Sequence, residues 1–145
     1  MQFPSRNRSG SVLNRRWKGT IKEFEKEHPP SLLICLLEEG AFHLAHALLQ
    51  NPSVNINVQD FLGQTPLIFA VAQGREDIVA KLLARPDVRV NLADGLGRSA
   101  IFYAAQAGFE GIVGMFLESR WKVDLSIRDS GGRTALDYAQ QEGHD

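Results

Sequence analysis

The chain has 145 residues, 43% of them hydrophobic and 23% charged, with a net charge of −1. This is the composition of an ordinary soluble globular chain, long enough for one domain or one domain with a tail, and it excludes collagen-like, mucin-like and wholly disordered readings. A single cysteine, Cys35, excludes an internal disulfide framework and a multi-cysteine metal site and points to a reducing intracellular compartment, cytoplasmic or nuclear. No membrane span is expected, because the apolar run Leu32 to Leu37 falls far short of the roughly 20 residues a span needs. The opening MQFPSRNRSG lacks the apolar core of a secretory signal.

In chain order, the first segment is basic. Residues 1–22 contain Arg6, Arg8, Arg15, Arg16, Lys18 and Lys22 and no acid, leaving ten basic and seventeen acidic residues for the remainder. The acidic body is a poor match for direct nucleic-acid binding. The basic stretch suits either an anionic contact or a solvated tail. Residues 1–16 are rich in Ser, Arg, Asn and Gly and read as disordered; the tail is drawn over 1–19. Arg6 and Arg8 before Ser11 resemble a basophilic-kinase site, although short motifs of this kind recur by chance. Thr20 and Glu23 then match a capping box. Trp17, Ile21, Phe24 and His28 fall at i, i+4, i+7 and i+11, which predicts a short amphipathic helix stopped by Pro29-Pro30. That helix is expected to cover the apolar edge of the first repeat.

From Asp60 the chain repeats itself. DFLGQTPLIFAVAQG begins at Asp60, DGLGRSAIFYAAQAG at Asp94 and DSGGRTALDYAQQEG at Asp129, at spacings of 34 and 35. Each copy reads Asp, two residues, Gly, one residue, then Thr or Ser. The Asp–x–x–Gly stretch is turn chemistry, with glycine free to take positive φ. Thr65 predicts a helix N-cap, with Pro66 at the first helical position, where its missing N–H costs nothing; Ser99 and Thr134 hold the same place. Ala70, Ala104, Ala105 and Ala139 allow close packing, and Gly74, Gly108 and Gly143 end the helix. A second helix follows, with Ile78, Val79, Leu82 and Leu83 in one copy and Ile112, Val113, Phe116 and Leu117 in the next as its buried face. Residues 31–57 form a degenerate earlier copy: Ser31, Gly40, Leu48-Leu49 and Ile56-Asn57 match Thr65, Gly74, Leu82-Leu83 and Val90-Asn91. There Leu44, Ala45, Leu48 and Leu49 are the expected buried stripe.

This pattern resembles the ankyrin repeat, Asp–x–x–Gly–x–Thr–Pro–Leu–His–x–Ala followed by Gly and a Val–x–x–Leu–Leu helix, over about residues 26–145; its slightly long unit resembles fungal-type arrays. The family's His is replaced by Ile68, Phe102 and Asp137. The resemblance implies an all-α solenoid of helix-turn-helix units joined by β-hairpin-like loops. Its domain spans 20–145, divided into a degenerate capping region 20–59, repeats 60–93 and 94–128, and an incomplete repeat 129–145. The last copy has no second helix, so the chain is expected to be a fragment, a shortened product, or a subunit covered by a partner. The resemblance also implies binding of another protein through the hairpin tips and the concave inner-helix face. In this register that surface is Phe61, Leu62, Gln64, Gln73, Leu96, Arg98, Gln106, Arg133 and Gln141. Turn tips usually carry polar residues, so Phe61-Leu62 beside Leu96 either folds back onto the neighbouring loop or serves as an apolar anchor flanked by Arg98 and Arg133.

Catalytic and metal chemistry find little support. His43 and His46 lie at i, i+3, but a metal site needs three or four converging ligands. Cys35 reads as a small buried hydrophobe. Glycine pairs such as Gly95 and Gly97 lack the strand-to-helix context of a phosphate loop. The expectation is therefore a non-catalytic interaction module without cofactor, metal, small-molecule substrate or membrane contact. Alternatives are a small ankyrin coregulator of transcription or signalling, with the basic N-terminus as its nuclear or anionic contact, and an ankyrin fragment of a larger multidomain protein.

Overall fold

A computed structural model describes residues 32–143, and these fold as four successive inner helices with an outer helix after each of the first three. The inner helices are α1 (Leu32–Glu39), α3 (Pro66–Ala72), α5 (Ala100–Ala107) and α7 (Ala135–Gln141); the outer helices are α2 (Phe42–Leu49), α4 (Glu76–Ala84) and α6 (Glu110–Glu118). Inner helices pack on inner ones and outer on outer, one repeat at a time, as a quasi-one-dimensional solenoid requires. No strand occurs among the described residues, and no helix among them is long and apolar enough to cross a membrane. The tail, the Thr20 capping box, the amphipathic segment 17–28 and Ser31 lie outside the described residues.

Local chemistry sets each helix start. Thr65 Oγ1 accepts from the Ile68 N–H at 3.1 Å, and Pro66 follows it. Thr134 and Asp137 form a reciprocal capping box, so the residue that replaces the family's His closes the end of its own helix. Ser99 departs from the expected cap. The Phe102 N–H turns to the Ser99 carbonyl at 3.1 Å, and the fully buried Ser99 hydroxyl has no hydrogen-bond partner. Serine lacks the β-branch that restricts the threonine rotamer, so its hydroxyl is not held in the capping position.

The turns between repeats share one device. Asp60, Asp94 and Asp129 each use Oδ1 to accept two backbone N–H groups, from residues two and four ahead, at 2.8–3.1 Å. Gly63 and Gly97 take positive φ of 80° and 79° and also face the next turn so closely that a Cβ would meet Gly95 N at 2.8 Å and Asp129 Cα at 3.0 Å. Here glycine is needed both for conformation and for space.

A continuous core runs through the array from Leu33 and Leu37 by way of Ile78, Leu82, Phe102, Ile112 and Phe116 to Tyr138. Three readings of the buried faces need correction. Leu44 and Leu117 are largely exposed and Val113 only half-buried. Leu44 occupies the place of Ile78 and Ile112, which face a preceding outer helix, and no described outer helix precedes α2. Leu117 occupies the place of Leu83, which faces a following outer helix, and none follows α6 among the described residues. Tyr138 departs in the other direction: it is buried, edge-on to Phe102 with ring centroids 6.0 Å apart. Cys35 is half-buried.

Candidate protein-binding surface

The turn tips are stitched into one row. Gly95 N donates to Leu62 O at 2.9 Å, and Ser130 N donates to Leu96 O at 2.8 Å. Gln59 reinforces the row by donating its side-chain amide to Gly63 O and Ala93 O at 2.9 and 3.0 Å. On this fixed row Phe61, Leu62 and Leu96 are 76%, 54% and 51% exposed. Large apolar side chains at turn tips are costly to leave in water, and here rigid backbone hydrogen bonds hold two adjacent tips in register.

The other residues of the expected surface divide by environment. Gln64 is half-buried and its backbone closes the Asp60 turn, donating to Oδ1 at 2.8 Å and accepting from Asp60 N at 3.0 Å. Gln73 is exposed but donates its amide to Leu37 O at 2.9 Å, tying α3 to the preceding inner helix. Gln106 is exposed on α5, and Gln141, exposed on α7, accepts from the Arg133 guanidinium. Arg98 is drawn inward instead: Nε reaches Asp129 Oδ2 at 3.2 Å, Nη2 reaches the Tyr138 hydroxyl at 2.8 Å, and the guanidinium lies 5.0 Å from the Tyr138 ring centroid. Arg133 approaches that ring at 5.8 Å but is exposed. Arg98 therefore joins two repeats, whereas Arg133 faces solvent beside the tips.

Electrostatics explain that lock. The Tyr138 hydroxyl donates to Asp129 Oδ2. This bond, the Arg133 backbone N–H and the Arg98 guanidinium hold the Asp129 carboxyl at about 2. Burial, then the hydrogen bond to Asp94 Oδ2, pushes the Tyr103 phenol up to about 12. The first repeat lacks this arrangement. Phe69 stands where Tyr103 and Tyr138 stand, and Asp60 Oδ2 is buried without a hydrogen-bond partner.

Several inter-repeat ties carry only a faint sequence signal. Arg85 donates to the carbonyls of Leu49, Asn51, Pro52 and Val54 at 3.0–3.4 Å. Asn57 bonds Asp87 O and Arg89 N, and Asn91 repeats this with Lys122 O and Asp124 N. The recurring Ile56-Asn57 and Val90-Asn91 pairs were the available clue to that ladder; Arg85 has no counterpart in the other copies. His46 bonds Asp77 Oδ2 at 2.9 Å, which with the Ile78 N–H and Arg75 holds that carboxyl at about 2, while His43 is exposed. Among the described residues no three His, Cys, Asp or Glu side chains converge as metal ligands would.

A family model described as ankyrin repeats (many copies) matches residues 33–83, which span α1 to α4. A comparison with curated proteins found no match. The helix pairs, turns and caps continue in the same register beyond the matched segment, through α7. Ankyrin arrays in general bind other proteins and are not enzymes. With this recurrence and this match together, the chain belongs to the ankyrin-repeat proteins.

Proposed function

We infer that the chain is a non-catalytic module that binds another protein along the turn-tip row, with Phe61, Leu62 and Leu96 as apolar anchors and Arg133, Gln106 and Gln141 as the polar margin. The observation that carries this reading is the pair of tips fixed by the Leu62–Gly95 hydrogen bond and bearing three large apolar side chains more than half exposed. Exposed apolar groups on a rigid frame need little ordering on binding, and an arginine beside them matches the composition of binding hot spots. Gln64, Gln73 and Arg98 act in support by holding turn and helices in place. The binding domain is taken as 20–145, with 1–19 as a basic appendage.

The test is affinity capture with the intact chain and with the Phe61→Ser/Leu96→Ser variant. Both should give the same circular dichroism and melting temperature, because the substituted side chains are exposed. Proteins retained by the first and lost by the second support the reading. Identical retained sets from two equally folded proteins refute it.

A further inference from the structure

A groove of about 720 Å³ lies between α5, α6 and α7, lined largely by apolar side chains. Leu117, Leu125 and Leu136 border it and are 60%, 51% and 61% exposed. One repeat earlier the same positions hold Leu83, Val90 and Ile101, which are only 8%, 6% and 2% exposed. Those three share a core with Ile112 and Phe116 of α6. The groove thus continues an interface that the molecule already builds twice, α2 on α4 and α4 on α6, with the next outer helix absent from the described residues.

Charge defines the orientation of an occupant. Glu76 lies over the first turn of α6, so close that a side chain on Gly111 would collide with its carboxylate. A carboxylate there faces the positive end of the helix dipole. Glu110 holds the equivalent place and lines the open groove. Gly114 also lines it, and nothing lies within 4 Å of where its Cβ would stand.

We propose that this groove binds an amphipathic α-helix from a separate polypeptide, in the position of a further outer helix. The helix enters with its first turn against Glu110 and a small residue where it passes that carboxylate. It presents large apolar residues at i, i+1, i+4 and i+5, the pattern that buries α4 and α6. The outer helices of a second copy are packed on their own inner helices, and residues 1–31 join the array at α1, beyond α3 and α5 from the groove. Both facts favour a helix from a different chain. This surface is separate from the turn-tip row, so each can fail without the other.

The probe is a fluorescent, hydrocarbon-stapled peptide with the sequence of residues 107–120, titrated into the full chain. Saturable one-site binding is expected, with methyl NMR shifts confined to the neighbourhood of Leu117, Leu125 and Leu136. A control peptide with Asp in place of the residues corresponding to Ile112 and Phe116 should not bind. Gly114→Leu should fill the groove and weaken binding about tenfold or more while leaving the melting temperature unchanged or raised; Leu136→Lys should weaken it similarly. The proposal is overturned by no saturation at about 1 mM peptide, by equal binding of the control peptide, or by undiminished binding to folded Gly114→Leu. A dimer in sedimentation that Gly114→Leu dissolves would also overturn it, since the occupant would then be a second copy.

Discussion

Phe69→Tyr should stabilise the protein. Positions 69, 103 and 138 are equivalent in the three repeats, and the two tyrosines each donate a hydroxyl to the second carboxylate oxygen of their own turn aspartate, Asp94 and Asp129. At the first turn Asp60 Oδ2 is buried with no partner, and the half-buried Phe69 lacks only the hydroxyl. An unpaired buried acceptor costs about 1–3 kcal/mol, and a hydrogen bond to a charged group contributes a similar amount. Dehydrating the new hydroxyl offsets part of this gain, leaving an expected stabilisation of about 1–2 kcal/mol. The converse change, Tyr103→Phe, should cost about 1–3 kcal/mol. Urea unfolding compared through midpoint and slope measures both, and a double-mutant cycle isolates the pair: the gain from Phe69→Tyr should disappear in an Asp60→Asn background. A neutral or destabilising Phe69→Tyr, or a gain that survives Asp60→Asn, would refute the reasoning.

Other changes should follow environment more closely than residue type. Leu83→Ala should cost about 2–5 kcal/mol, as for emptying a packed leucine site, whereas Leu117→Ala should stay within about 0.5 kcal/mol; urea midpoints compare them. Arg85→Ala should destabilise by about 1–3 kcal/mol by releasing several carbonyls at once, with hydrogen exchange rising first near Asn51 to Val54. The Asp129 carboxyl is held at about 2, below its ordinary 3.8, so its contribution is present above about pH 4 and is lost as pH falls towards 2. Tyr138→Phe should raise that titration point in a carboxyl-carbon NMR experiment and move acid unfolding to higher pH, with no difference left below about pH 2.

The repeat register was legible because turn and cap chemistry is local. An Asp accepting from its own turn, or a Thr capping its own helix, needs no knowledge of neighbours, and Asp60, Thr65 and Thr134 behave as their types dictate. Burial is another matter. Leu44 and Leu117 carry the same periodicity as Ile112 and Leu83, yet their exposure depends on whether an outer helix stands beside them, which periodicity within one helix does not encode. Arg98 illustrates the same limit at the binding surface. Its place in the turn pattern suggested a solvent-facing cation, but its partner, Asp129, lies 31 residues away. Phe61, Leu62 and Leu96 were singled out as large apolar residues in polar turns, and that local incongruity is visible in any single copy. The groove beside Leu136 could be seen only by superposing one repeat on the next in space.

Site-specific photocrosslinking tests the binding reading most directly. A photoreactive amino acid is placed singly at Phe61, Leu96 and Arg133, and at Ala84 and Glu118, exposed at the ends of outer helices α4 and α6. The turn-tip positions should crosslink a common partner protein in cells, and the outer-helix positions should not. Crosslinking confined to Ala84 and Glu118, with none at the tips, would contradict the account.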